Sequence, residues 1–315
     1  MAVFTDVSEA EIASFLAGYG LPAPDAVTGI AEGTENTNYK VMAGGRRFIL
    51  TLYEARVNVA DLPYFLSLMD EVAGAGLPAA RPIRTLKGER LQAIAGRPAA
   101  LIEFLPGRPN MDPSPRDAET AGSFLARFHR TTAHSSLHRP NTMGMTSWRE
   151  MTARAGDALD RFGEGVRTEL AETLKLLARF WPVGLPKGPI HADLFPDNLL
   201  LDHGEVSGII DFYFACTDFF AYDLAITMNA YTPETGALDL TNAEAVLSGY
   251  DETYKLTDAE RSALPVLLCG SALRFFLTRA TDNIFAPEST LYTPKDPLPW
   301  LRLMRHHRAR LEDEL

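Results

Sequence analysis

Hydrophobic positions recur along this chain at two spacings, and the change from one to the other divides it. Ile12, Phe15, Leu16 and Tyr19 fall at helical spacing behind Ser8 and Glu11, a capping-box pair, so a short amphipathic helix opens the chain. Residues 28–32 offer a short strand leading into the polar stretch Gly33-Thr34-Glu35-Asn36-Thr37-Asn38. Tyr39 to Met42 and Arg46 to Leu52 are β-rich runs around Gly44-Gly45, which reads as a hairpin. Leu62, Phe65, Leu66, Met69 and Val72 then trace one helical face, with Pro63 tolerated in the first turn. Two further strands are expected at Arg90 to Ile94 and Ala99 to Leu105, the second ending at Pro106-Gly107.

Beyond Pro106 the pattern becomes mainly helical. Pro109, Pro113 and Pro115 mark a linker, and stripes follow at Phe124, Leu125 and Phe128, at Leu170, Leu174, Leu177 and Phe180, and at Leu264, Leu267, Leu268 and Phe275. The expected organisation is an α+β chain of two lobes: residues 1–105 form a small β-rich lobe with a helix, and residues 106–315 a larger, mainly helical one. No internal repeat or low-complexity tract interrupts it.

Length agrees with that division, since 315 residues correspond to about two domains. Thirty Lys and Arg against 41 Asp and Glu give a net charge of -11, which disfavours nucleic acid as a partner. Acidity does not exclude a nucleotide, because divalent metal held by carboxylates can carry its phosphates. Apolar runs such as Pro98 to Leu105 are too short to cross a bilayer, and Asp6, Glu9 and Glu11 stand where a signal peptide would be basic. A soluble, cytoplasmic protein without membrane contact is expected. Cys216 and Cys269, both in apolar company, read as buried thiols rather than a disulfide or zinc site.

One β-like island within the helical half carries the candidate chemistry. Lys187-Gly188-Pro189-Ile190 leads to His191-Ala192-Asp193-Leu194-Phe195-Pro196-Asp197-Asn198, and the apolar run Val206 to Ile210 ends at Asp211-Phe212. Asp193, Asn198 and Asp211 supply three oxygen-bearing side chains at the ends of short strands. Phosphoryl transfer needs such a set: a carboxylate to accept a hydroxyl proton, and an Asn and an Asp to hold magnesium on the phosphates. His-x-Asp-x-x-x-x-Asn followed by an apolar strand ending in Asp-Phe matches the catalytic and metal loops of the kinase fold. The competing reading is a hairpin with Asp193 and Asp197 as turn residues and His191 as a core histidine.

These residues resemble the aminoglycoside phosphotransferase family, and within it the ThrB-type homoserine kinases. The resemblance runs through Gly33 to Tyr39, Phe48 to Glu54, His191 to Asn198, Asp223-Leu224-Ala225, Leu273 to Arg279 and Lys295-Asp296-Pro297. It implies a protein-kinase-like bilobed fold with ATP in the cleft, and magnesium-dependent transfer of the γ-phosphate to the hydroxyl of L-homoserine, a step of threonine biosynthesis. By the same resemblance Asp193 accepts or orients the hydroxyl proton, and Asn198 and Asp211 hold magnesium. His191 and Asp223 brace the loop, while Gly33, Thr34 and Asn36 attend the phosphates. Backbone groups near Glu103 and Leu105 meet adenine; an edge strand with an incidental Glu is the alternative there.

The chain departs from the pattern at Thr51, where many relatives place a phosphate-binding Lys. Lys40, Arg47, Arg56 or the Thr51 hydroxyl with loop amides are the candidate substitutes. A zwitterionic acceptor requires a cation for its carboxylate and an anion or carbonyls for its ammonium, for which Arg274, Arg279 and Asp282 are candidates, with Asn38 nearby in the pattern. Trp148, Tyr213 and Trp300 are either pocket walls or core, and the basic run 302–310 reads as a solvated helical face. Two other functions stay open. One is a kinase of choline, ethanolamine, hydroxylysine or an aminoglycoside; the other, prompted by Thr51, is a nucleotide-binding module without catalysis. The sequence leaves oligomeric state open.

Overall fold

The computed structural model describes residues 5–30, 36–54, 57–286 and 294–313. They form two compact units, Met1–Arg108 with Ser207–Tyr213, and Pro109–Val206 with Phe214–Leu315.

In the first unit, helix α1 (Glu9–Ala17) begins at the expected box, with Ser8 and Glu11 bonded reciprocally. Strands β1 (Ala26–Gly29), β2 (Thr37–Ala43), β3 (Arg46–Leu52), β4 (Gln92–Ile94) and β5 (Arg97–Glu103) make an antiparallel sheet in the order β1-β2-β3-β5-β4. Alternation puts Tyr39, Val41, Phe48, Leu50, Leu52, Ala99 and Leu101 into one core with Ile12, Phe15 and Leu16 of α1. Pairing of Ala43 with Arg46 leaves Gly44 and Gly45 as a two-residue turn, and their φ of 57° and 72° are the values that such a turn needs and L side chains resist. Helix α2 (Leu62–Gly74) buries its Leu62, Phe65, Leu66, Met69 and Val72 stripe. Ser207–Tyr213 joins this unit because Ile209 donates its N–H to Pro78 O (2.8 Å) and Tyr213 meets Tyr53 and Phe65 edge-on.

The second unit follows a two-residue strand, β6 (Arg108–Pro109). It holds helices α3 (Pro115–Thr132), α4 (Met145–Ala155) and α5 (Val166–Phe180), strand β7 (Lys187–Ile190), the candidate loop, and β8 (Leu199–Asp202). Strand β9 (Glu205–Ile209) starts in this unit and ends in the first. Strand β10 (Cys216–Phe219) pairs antiparallel with β7, Cys216 opposite Ile190, and feeds α6 (Phe220–Ala230). Helices α7 (Thr241–Thr253), α8 (Asp258–Phe285) and α9 (Leu298–Asp313) complete it.

Two glycines let α3 and α7 cross at backbone contact. A Cβ on Gly122 would lie 2.0 Å from Val246 O, and one on Gly249 would lie 2.0 Å from Glu119 O. Helix α8 is the one described helix long and apolar enough to cross a membrane, a length that the broken hydrophobic runs of the sequence conceal. Its most apolar window is 83% buried inside the protein, so its apolarity is that of a core helix. Trp148 and Trp300 belong to this core, where Trp148 Nε1 donates to Met143 O (2.7 Å). Cys216 and Cys269 are free buried thiols, both pushed up to about 12, first of all by burial. The basic run on α9 is not wholly a solvated face: Trp300, Leu301, Leu303, Met304, His307 and Leu311 are buried, while Arg305 and Arg308 pair with Glu169 and Glu172 of α5.

Candidate active site

Strand β7 ends at Ile190, and the next eight residues double back to β8. Asn198, nearly buried, closes the loop: its Nδ2 donates to Asp193 O (2.8 Å) and to Asp193 Oδ2 (3.1 Å). The five-residue spacing of the motif thus becomes a ring that fixes both backbone and carboxylate of Asp193. Because the Asn198 nitrogen is committed, its Oδ1 is the atom left to ligate a cation.

Asp223, fully buried in the first turn of α6, supports the loop from below. Its Oδ2 accepts from His191 N (2.9 Å) and its Oδ1 from Ala192 N (2.7 Å). A third donor is His129 of α3, whose Nε2 lies 2.9 Å from Asp223 Oδ2 while Nδ1 lies 2.8 Å from the Tyr250 hydroxyl of α7. Since the Asp223 carboxylate can only accept, the proton of that pair sits on His129 Nε2. Burial pushes the Asp223 carboxyl up, but the His129 hydrogen bond and the nearby His129 and His191 outweigh it and hold the group below its ordinary value. Asp223 is therefore an anion in a buried site, neutralised by donors rather than by water. The His191 ring is buried beside Phe128 (6.5 Å), and its backbone N–H makes the link to Asp223.

Ala192 adopts φ of 61° and Asp211 φ of 63°, two of the four non-glycine residues described in the left-handed region. Such strain persists where surrounding bonds over-determine the backbone, commonly at functional sites. At Ala192 those bonds are visible: the N–H goes to Asp223, and the C=O accepts from Arg274 Nη1 (2.8 Å). Arg274, expected to face an acceptor carboxylate, is 1% exposed and set against the loop backbone. Arg279, about 1.4 turns further along α8, bonds Glu234 Oε1 (2.6 Å) and Asp296 O (3.0 Å) and lies over Trp300. Asp282, also on α8, is partly exposed. Lys295 approaches Asp197 Oδ2 at 3.5 Å.

In the first unit Thr51 is buried, and its hydroxyl donates to Asn38 Oδ1 (2.8 Å); Asn36 Oδ1 accepts from Glu54 N (3.3 Å). The first bond ties β3, the strand that lacks a lysine, to β2, and the second ties the residue just before β2 to the chain just after β3. Lys40 and Arg47 both stand over the Phe104 ring, at 5.2 and 4.3 Å. Glu103 N donates to Arg81 O (2.9 Å), so the N–H and C=O of Glu103 face the edge of β5 away from β3, and Leu105 follows the strand partly exposed. Gly33, Thr34 and Arg56 lie outside the described residues.

Sequence reading missed His129. Its signal was a histidine inside the apolar stripe of α3, directly after Phe128, at a position where burial requires two hydrogen-bond partners. As for metal, the Asn198 Oδ1 left free by the ring is an oxygen of the kind that suits a hard cation. No group of three or more His, Cys, Asp or Glu that could hold a metal is found among the described residues.

An α+β chain with a β-sheet unit, a mostly helical unit and this Asp-Asn loop has the make-up of a kinase-like phosphotransferase. Residues 26–256 match the phosphotransferase enzyme family, and the chain belongs to that family. Within it, a homoserine kinase of Xanthobacter autotrophicus is 45% identical over 310 residues, 98% of this chain and 97% of the relative. A homoserine kinase of Azorhizobium caulinodans is 44% identical over the same shares. Among solved structures, an amicoumacin kinase in complex with AMP-PNP superposes with a TM-score of 0.68 at 18% identity, covering 98% of this chain and 94% of the other, a likeness of fold.

Proposed function

We propose that this enzyme transfers the γ-phosphate of ATP to the side-chain hydroxyl of L-homoserine, yielding ADP and O-phospho-L-homoserine. The observation that carries the acceptor is the 45% identity to a homoserine kinase along 98% of the chain. Reaction class is supported independently by the Asp193–Asn198 ring.

In this reading Asp193 is the base. As the acceptor oxygen bonds to the γ-phosphorus and the bond to the β–γ bridging oxygen breaks, the hydroxyl proton passes to the Asp193 carboxylate and ADP leaves with the electron pair. Asn198 Nδ2 holds the carboxylate in place through its bond to Oδ2. Asn198 Oδ1 and Asp211 would hold magnesium, which when bound neutralises charge on the phosphates. His191 and Asp223 act through the loop backbone. Gly33, Thr34, Asn36 and Thr51 are assigned to the phosphates, the edge of β5 at Glu103 and Leu105 to adenine, and Asn38, Arg279 and Asp282 to the acceptor.

Purified protein with ATP, magnesium and L-homoserine should produce ADP and phosphohomoserine in equal amounts, and chelation of magnesium should stop it. Asp193→Asn should lower kcat by about 10²- to 10⁴-fold with ATP binding retained. Turnover of choline, ethanolamine, hydroxylysine or an aminoglycoside in place of homoserine would overturn the acceptor and spare the reaction class. ATP binding without transfer to any of them would favour a non-catalytic module.

A further inference from the structure

Arg274 is a fully buried cation with an unusual set of neighbours. Its Nη1 donates to a backbone carbonyl, Ala192 O, at 2.8 Å. Its Nε has no hydrogen-bond partner among the described residues, and no ion pair within 4 Å holds it there, although the Tyr222 hydroxyl and the Asp218 carboxylate feel its charge. Its guanidinium lies over the rings of Phe275 (4.6 Å) and Phe214 (5.6 Å). Burying a charge on such terms is costly, and a core position would be served as well by an apolar residue of similar volume. Besides its charge effect on Asp218 and Tyr222, Arg274 supplies a strong, charge-assisted hold on one carbonyl.

That carbonyl belongs to the residue immediately before Asp193. Ala192 is in the left-handed region, which alanine disfavours, and both of its backbone groups end on buried charges: the N–H on Asp223, the C=O on Arg274. The next residue of α8 grips the other side of the same loop, for Phe275 meets Phe195 edge-on at 4.9 Å. Helix α8 therefore holds the chain one residue before Asp193 and two residues after it.

We propose that Arg274 is a positioning residue: with Asp223 it locks the peptide between Ala192 and Asp193 in its left-handed turn and so sets the direction in which the Asp193 carboxylate points. This rests on Asp193 being the base. Loss of the arginine frees the carbonyl to rotate, and the carboxylate moves with it, a misplacement felt in the chemical step rather than in binding.

The test is a series at position 274 crossed with Asp193→Asn, measured as kcat and KM with ATP and L-homoserine, with folding followed by thermal melts. Arg274→Met should lower kcat by about 100-fold with both KM values unchanged within about threefold. Arg274→Lys and Arg274→Gln each keep a donor for Ala192 O, and should lie between Met and the wild type. In the Asp193→Asn background the Met substitution should cost less than about threefold, because the group it positions is already gone. Equal kcat across the folded variants, a rise in homoserine KM at unchanged kcat, or an undiminished loss in the double variant would each overturn the proposal. Should Met fail to fold, Lys and Gln decide it by the same criteria; should none of the three fold, Arg274 supports the core and the proposal falls. If Asp193→Asn alone keeps wild-type kcat, the base assignment fails instead, whatever the Arg274 series shows.

Discussion

Acid should weaken this protein through one histidine far along the chain. His307 of α9 is 5% exposed, and its Nε2 lies 2.8 Å from Asn229 Oδ1 of α6. The Asn229 nitrogen is spent on Leu268 O (2.9 Å) and Ser271 Oγ (2.5 Å) of α8, so its oxygen faces the ring and His307 must carry its proton on Nε2. Burial, then the neighbouring His306 and Arg310, pushes the imidazole down from 6.5 to about 3. The ring stays neutral in the folded protein at a pH where the unfolded chain protonates it. Above 6.5 both states are neutral and stability is complete. As pH falls from there toward 3, the unfolded state binds a proton that the folded state refuses, and stability is lost.

Each pH unit in that window costs about 1.4 kcal/mol, so acidifying to pH 5.0 removes about 2 kcal/mol through this ring. Other groups titrate over the same range, and a variant isolates the share of His307. His307→Gln keeps a donor for Asn229 and cannot titrate. Urea unfolding of both proteins at pH 7.0 and 5.0 should show the wild type losing about 2 kcal/mol more than the variant. Equal losses would refute the reasoning, since they would mean that the ring takes up its proton while folded.

Two further substitutions probe the frame around the loop. Asp223→Asn replaces one acceptor oxygen by a nitrogen facing donors from His191, Ala192 or His129. It should cost about 2 kcal/mol in chemical denaturation and at least about tenfold in kcat, and a variant as stable and active as wild type would remove Asp223 from the loop's support. Gly249→Ala puts a methyl 2.0 Å from Glu119 O, so the helices must part. Despite alanine's better helix propensity it should destabilise by about 2 kcal/mol or more in a urea titration, and a gain in stability would show that the α3–α7 crossing yields freely.

Local chemistry was legible wherever sequence spacing equals structural spacing. The capping box at Ser8 and Glu11, the Gly44-Gly45 hairpin and the α2 stripe each rest on residues within a turn of one another. The Asp193–Asn198 ring is local too, its ends five positions apart. What could not be read were bonds across distance. His129 reaches Asp223 over 94 residues, and Arg274 reaches Ala192 over 82. Sequence presented Arg274 as a candidate for the acceptor carboxylate; only the packing of α8 against the loop gives it a backbone carbonyl. His307 was hidden for a similar reason, since a basic run looks solvated until its apolar neighbours are seen to face inward.

The route of the chain bears on how the protein can be dissected. After entering its second unit at Pro109, the polypeptide returns to the first for seven residues, Ser207–Tyr213, and leaves again. A fragment ending at residue 108 would lack the strand that supplies Ile209 N–H to Pro78 O and the ring that Tyr213 lays against Tyr53 and Phe65. A fragment beginning at residue 109 would keep β8 beside that strand but would carry Ile209 without Pro78, and Tyr213 without Tyr53 and Phe65. Gene fusions, split reporters or domain exchanges made by a single cut at the linker should therefore give two insoluble halves, whereas a graft of the first unit must bring residues 207–213 with it.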